Sequence, residues 1–129
     1  MNLPGPNDGS YAFCLKAPRT FWDAEADCQK RGGHLASIHS EDQQKAIAYG
    51  SFASSNGVWS NWWIGLNDVD SEGSFAWTDG TPLDYSNWFG AEPNNAGGVE
   101  HCVHIHGHEA GLWNDIPCEN VRPYICLLP

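Results

Sequence analysis

The chain has 129 residues, a formal charge of −10 and five cysteines. Its length suits one domain with a core of its own, and no apolar run is long enough to cross a bilayer. The acidity argues against nucleic acid as a partner, because phosphate contacts need a basic footprint, and it divides between solubility and carboxylates gathered for a cation.

Five cysteines in so short a chain point to an oxidising compartment, with one left over from pairing. Residues 1–6 hold no apolar signal-peptide core, so Met1 reads as a start on a mature, secreted chain. Residues 1–9 are rich in Pro, Gly, Asn and Asp and read as a loose lead-in to a single domain over 10–129. Residues 11–15 alternate as a strand, with Tyr11, Phe13 and Leu15 inward and Cys14 outward. Thr20 caps a helix over 21–31, stopped by Gly32 and Gly33; Trp22, Ala26 and Gln29 share one face, with Cys28 beside it. Residues 35–38 form a short buried link. Ser40 and Gln43 make a capping box for a second helix over 41–52, with an apolar stripe of Ala46, Ile47, Tyr49 and Gly50.

Residues 51–61 are a turn-rich connection and 62–66 a buried strand. Residues 67–98 are a long turn-rich stretch holding one short strand at 75–77, and loops of that length inside a domain are usually functional. The last strands fall at 102–106, 111–113 and 124–127. No repeat, heptad or collagen-like triplet is present, so self-association would use the domain surface or Cys14.

The chemistry concentrates in Glu92-Pro93-Asn94-Asn95, Glu100 and Asn114-Asp115. Carboxylates and amides are hard oxygen donors, the kind Ca²⁺ takes in its roughly six to eight ligands, and no thiolate lies among them to favour zinc or copper. A cis peptide before Pro93 would turn Glu92 and Asn94 to the same side, and only an X-Pro bond allows that cheaply. Carboxylates accept hydrogen bonds and amide NH₂ groups donate them, so each carboxylate–amide pair can satisfy one sugar hydroxyl that also gives a lone pair to Ca²⁺. Glu92 with Asn94 would serve one hydroxyl and Glu100 with Asn114 its neighbour, while Asp115 completes the ion's shell.

Trp63-Ile64-Gly65-Leu66, Glu92-Pro93-Asn94, Glu100, Cys102, Trp113-Asn114-Asp115, Cys118 and Cys126, together with Cys28 and the helix before Gly32, resemble the C-type lectin domain family from about residue 11 to 127. The resemblance implies an α+β, C-type lectin-like fold: two helices flanking small antiparallel sheets, with a long Ca²⁺-binding loop region. It implies disulfides Cys28–Cys126 and Cys102–Cys118. Ser10 stands where long-form relatives carry a cysteine, so this looks like a short form, and Cys14 is off-pattern, a free thiol or the link of a homodimer. Glu-Pro-Asn looks like the mannose-type triplet, which implies binding of glycans ending in mannose, N-acetylglucosamine, glucose or fucose. The resemblance also implies an auxiliary Ca²⁺ site from Asp68, Glu72, a shared Glu100 and two further positions, here Asn95 and His101; imidazole is a poor calcium ligand.

Trp22, Trp63, Trp77, Trp88 and Trp113 fall at core or loop-supporting positions of the family, whereas Trp59 and Trp62 could be core or exposed platforms. His101, His104, His106 and His108 read as an exposed polar loop; a zinc site with Glu109 is the alternative, weakened by the lack of a His-x-x-x-His helical pair. Two other functions stand beside sugar binding. One is a Ca²⁺-dependent structural or mineral-surface protein on the same fold. The other is a zinc hydrolase, for which no nucleophile, base and orienter are recognisable, so the expectation is a non-enzyme.

Overall fold

A computed structural model of the chain describes residues 2–90, 92–107 and 110–129. Its elements are β1 (Asn2–Pro4), β2 (Ser10–Arg19), α1 (Phe21–Lys30), β3 (His34–Leu35), α2 (Glu41–Ser54), β4 (Trp62–Asn67), β5 (Ala76–Trp77), β6 (Cys102–Ile105), β7 (Trp113–Ile116) and β8 (Arg122–Leu128). The fold is α+β. The strands run in the order β1-β2-β8-β4-β6-β7, with β3 on β8 and β5 on β4. All pairs are antiparallel except β4 with β8, which meet in parallel at Trp63 and Tyr124. That contact joins the small sheets expected from the sequence into one.

The helix starts follow from local hydrogen bonds. Thr20 Oγ1 accepts from the Asp23 N–H at 3.4 Å. Ser40 Oγ accepts from the Gln43 N–H at 3.2 Å, and Gln43 Oε1 accepts from the His39 N–H at 2.7 Å. Facing is another matter. Helix α1 buries Phe21, Ala24, Glu25 and Cys28, an i, i+3, i+4, i+7 stripe, because the Cys28–Cys126 disulfide ties that side to β8. Trp22, Ala26 and Gln29 lie on the exposed face, and Trp22 leaves the core position expected for it to Phe21, whose ring meets Trp63 at 5.4 Å. In α2 the buried side chains are Gln44, Ile47, Ala48 and Ser51; Tyr49 is exposed.

Two more expectations need correction. The stretch read as a loose lead-in forms a hairpin, β1 pairing with β2 through Leu3 and Tyr11, because Leu3 packs on the core. Leu15 is exposed, since the β2–β8 register shifts after Cys14 and the strand leaves the core there. Cys14 is a half-buried free thiol whose pKa is raised by burial, against the pull of nearby Arg31.

The core lies on both faces of the sheet, so β4 is buried throughout instead of alternating with solvent. Trp62, Ile64 and Leu66 face one cluster with Phe13, Ile47 and Trp113, while Trp63 faces the other with Phe21, Cys102 and Tyr124. Trp62 is therefore core. Trp59 is half-buried, its ring 4.3 Å from that of Phe52. Only glycine fits at 65, where a Cβ would sit 2.8 Å from the Leu35 carbonyl oxygen. That close approach brings β3 against β4.

His104, on β6, is 3% exposed, and among the described residues neither of its ring nitrogens has a hydrogen-bond partner. The exposed-loop expectation fails for it because β6 is covered on both faces. Burial pushes its pKa down to about 3, with Arg122 and His106 adding to the effect. Below the ordinary histidine pKa the unfolded chain takes up a proton that the folded chain refuses. Stability should fall as pH drops from about 6.5 toward 3, by about 1.4 kcal/mol per unit, or roughly 2 kcal/mol at pH 5. Urea unfolding of the chelator-treated protein at pH 7 and pH 5 checks this. His104→Leu should remove that part of the pH dependence; an identical loss in the variant would assign it to other groups.

Candidate functional site

The site is carried by β7 and the long loop that precedes β6. Trp113 opens β7 and is fully buried, with the rings of Trp77, Tyr85 and Trp88 edge-on at 5.5, 6.0 and 5.7 Å. Its Nε1–H donates to Gln44 Oε1 of α2 at 2.8 Å, and Gln44 Nε2 donates to the Gly111 carbonyl at 2.6 Å. The loop runs alongside. The Trp113 N–H donates to the Asn87 carbonyl and the Phe89 N–H to the Trp113 carbonyl, both at 2.8 Å. These bonds deliver Glu92 to the side of Asp115.

Glu92, Glu100 and Asp115 offer carboxylate oxygens that all lie within 4.8 Å of one another. The Glu92–Pro93 peptide is cis. Asp115 is fully buried; its Oδ1 accepts from the Asn94 N–H at 3.2 Å and its Oδ2 from the Asn95 N–H at 2.8 Å. Glu92 Oε1 accepts from the Asn94 N–H at 3.1 Å, and Glu100 Oε1 from the Ala96 N–H at 3.0 Å. The loop closes because Asn95, Gly97 and Gly98 take positive φ (45°, 67° and 72°), a region open to Gly and tolerated by Asn. Asn114 precedes Asp115 on β7, half-buried and opposite His104.

Backbone N–H groups offset part of this negative charge. Glu92 still has a raised pKa, first from burial and then from the Asp115 carboxylate it faces. Three converging carboxylates repel one another unless a cation or a proton sits among them. A hard divalent ion fits this all-oxygen donor set, and calcium is the ion of that type that takes many carboxylate and amide oxygens.

A second cluster lies close by. Asp68, Glu72 and His101 bring ligand atoms within 4.8 Å of one another. His101 Nδ1 is 3.1 Å from Asp68 Oδ1 and 3.7 Å from Glu72 Oε1. The Asp68 carboxyl facing Glu72 is the main cause of a raised Glu72 pKa. Glu100, read from sequence as shared, groups with Glu92 and Asp115. Asn95 stands between the clusters. Its Nδ2–H donates to Glu72 Oε1, and its Oδ1 accepts from the Glu100 N–H at 2.8 Å.

Among the described residues, the alternating histidines His104 and His106 sit in different surroundings. His104 is in the core, and His106 is exposed with its ring stacked 5.4 Å from Phe89. His108 and Glu109 lie outside the described residues. Sequence reasoning missed the bracing role of Gln44, for which the sequence holds no signal. Asn95, read from sequence as giving a carbonyl oxygen, is also a left-handed residue bonding its own loop, a usual role for an Asn before a Gly-rich turn.

The family model for the lectin C-type domain matches residues 17–127. A lectin of Pleurodeles waltl is 40% identical over 119 residues, covering 91% of this chain and 69% of its own. The mouse C-type lectin domain family 4 member K is 36% identical over 125 residues, covering 94% of this chain, which spans only 36% of that relative. Among solved structures, the cow carbohydrate-recognition domain of CD23, determined with a GlcNAc2Man3 oligosaccharide, superposes with a TM-score of 0.80 at 34% identity, covering 98% of this chain and 96% of that one. A calcium-independent type II antifreeze protein superposes with a TM-score of 0.81 at 30% identity, covering 98% and 95%. With the matched model spanning most of its length and these relatives beside it, the chain belongs to the C-type lectin domain family, a family of non-enzymatic lectin modules.

Proposed function

We propose that this domain is a secreted, Ca²⁺-dependent sugar-binding module of mannose-type preference. Glu92, Asn94, Glu100, Asn114 and Asp115 would hold the ion and, around it, two vicinal equatorial hydroxyls of mannose, N-acetylglucosamine, glucose or fucose. The observation that carries the reading is the convergence of the Glu92, Glu100 and Asp115 carboxylates, with Asn94 bonded into the same loop. The ion would supply a site for hydroxyl lone pairs. The chain's own carboxylates accept the hydroxyl protons and its amides donate to the remaining lone pairs. A monosaccharide on so few contacts binds weakly, so useful avidity requires several domains together. Cys14 offers one route to such pairing, though the thiol is half-buried.

A second reading is calcium-dependent binding of a mineral or structural surface; the antifreeze protein of the same fold lends it no support, being calcium-independent. The pairing of amides with carboxylates weighs against it, since a mineral surface requires no amide donors.

The double change Glu92→Gln with Asn94→Asp tests the first reading. It keeps oxygen donors and total charge but exchanges donor and acceptor around one hydroxyl. Mannose should weaken by about 1–3 kcal/mol, some tenfold to a hundredfold, while Ca²⁺ affinity changes far less and galactose gains slightly. Titration of both sugars and of Ca²⁺ into each protein measures this, and unchanged mannose binding would remove Glu92 and Asn94 as hydroxyl partners.

A further inference from the structure

Strand β2 leaves the sheet beyond Cys14. Its ladder with β8 runs to Cys14 opposite Tyr124 and resumes only at Arg19 opposite Arg122. Between those pairs, residues 15–18 of β2 stand against Pro123 alone, and neither Pro18 nor Pro123 has an N–H to extend the ladder. On its other edge β2 is covered by β1 only as far as Ala12. The bulged stretch lines an open cavity of about 330 Å³.

The lining has two characters. Ala12, Phe13, Leu15 and Ala17 supply apolar surface, with Cys14 and Tyr124 among them. Lys16, Arg19 and Arg31 supply positive charge. Of the chain's six lysines and arginines, Lys30 adjoins Arg31 and Arg122 stands opposite Arg19, so only Lys45 lies elsewhere. In a chain of formal charge −10, most cations could sit beside a carboxylate. Among the described residues, Lys16 and Arg19 form no salt bridge, and Arg31 uses one of its five donors on Asp27 at 2.9 Å. Like charges directly opposite on a ladder, as Arg19 and Arg122 are, destabilise it. A single lysine on a free edge serves to deter strand pairing, and three cations around one partly apolar cavity exceed that need.

We propose that this cavity is a second binding site, for a small amphipathic anion: a carboxylate or sulfate group on an aliphatic body, about ten non-hydrogen atoms in all. A volume of about 330 Å³ holds roughly eleven waters at about 30 Å³ each, which sets that size. The anionic head meets Lys16, Arg19 and the remaining donors of Arg31, and guanidinium groups bind oxyanions through paired hydrogen bonds. The body lies on Leu15 and Ala17, covering apolar surface that is otherwise exposed. A sugar, polar all round, would leave hydroxyls unpaired against that wall. The site is separate from the Glu92 cluster: β8, β4 and β6 lie between β2 and β7, a separation on the order of 20 Å at about 4.8 Å per strand. It goes beyond the sugar-site reading and does not depend on it.

The test uses the full chain in Ca²⁺-containing buffer, with octanoate as the probe and the free thiol of Cys14, which lines the cavity, as the reporter. Octanoate is titrated calorimetrically, and alkylation of Cys14 by iodoacetamide is timed by mass spectrometry. One equivalent should bind, and octanoate at about ten times its Kd should slow alkylation about tenfold by mass action. Octanol, which lacks the charge, and inorganic sulfate, which lacks the body, should do neither at the same concentration. Lys16→Gln combined with Arg19→Gln should weaken octanoate at least about tenfold, the scale of one lost charge-assisted hydrogen bond, and leave Ca²⁺ affinity unchanged. Ala17→Trp, which fills the cavity from an exposed position, should abolish binding. Near-ultraviolet circular dichroism checks that the variants are folded. No octanoate uptake, equal protection by octanol or sulfate, or an affinity indifferent to the double change would each overturn the proposal. Protection by a sulfated disaccharide as strong as by octanoate would overturn it in favour of an acidic glycan.

Discussion

Changing Asp115 to Asn is expected to abolish sugar binding at millimolar Ca²⁺ and to weaken Ca²⁺ at least about a hundredfold. Asp115 is the fully buried member of the three-carboxylate cluster, and each of its oxygens accepts a backbone N–H. The amide replacement removes a charge the ion needs. It also turns an NH₂ toward one of those two N–H groups, so a donor meets a donor. A hydrogen bond to a charged group is worth about 1.5–3 kcal/mol, and losing one together with the charge reaches the hundredfold scale at about 1.4 kcal/mol per decade. Calorimetric Ca²⁺ titration, followed by sugar titration at fixed Ca²⁺, measures both effects. Sugar binding that persists in this variant with a chelator present would sink the calcium mechanism.

The same cluster sets a pH dependence. Burial and the facing Asp115 raise the Glu92 pKa in the metal-free protein, so Glu92 holds its proton at higher pH than an ordinary glutamate does. The ion requires the ionised form, so Ca²⁺ affinity should decline as pH falls toward and through that raised pKa, and binding should release protons. More Ca²⁺ should move the midpoint of sugar binding to lower pH. A midpoint indifferent to Ca²⁺ concentration would break this linkage.

The largest effect on stability is expected from Trp113→Ala. The side chain is fully buried among Trp77, Tyr85 and Trp88, and truncating a buried tryptophan costs about 3–5 kcal/mol, a large share of the roughly 5–15 kcal/mol that holds a domain folded. Trp113→Phe keeps a ring but leaves the buried Gln44 Oε1 without its donor, for about 1–3 kcal/mol. Because Trp113 opens the strand that bears Asp115 and bonds the 87–89 segment, Trp113→Ala should also weaken Ca²⁺ binding by the folded protein. Phe21→Ala, in the other core cluster, should destabilise without that loss. Denaturant unfolding with and without Ca²⁺ separates the two. Equal effects on Ca²⁺ affinity would show that Trp113 does no more for the site than general packing.

The sequence by itself determined whatever depends on near neighbours or on donor chemistry. Thr20 and Ser40 start helices because their caps bond N–H groups three residues on. The run from Trp62 forms a buried strand, and the Glu92–Asp115 set is all oxygen whatever surrounds it. The tertiary structure decided which way residues face and which groups meet. Trp22 lost its core place because the disulfide from Cys28 to Cys126, ninety-eight residues on, holds the opposite side of α1 inward. Trp62 is core and Trp59 half-buried, a difference two adjoining turn residues do not encode. His104 is buried because both faces of β6 are covered by elements distant in the chain. Asn95 also braces two clusters, a role set by the fold, because its amide bonds Glu72 and the Glu100 N–H at once. Caps and donor types are settled within a few bonds of the backbone, whereas facing, burial and the pairing of side chains depend on strand register and disulfide closure across the whole fold.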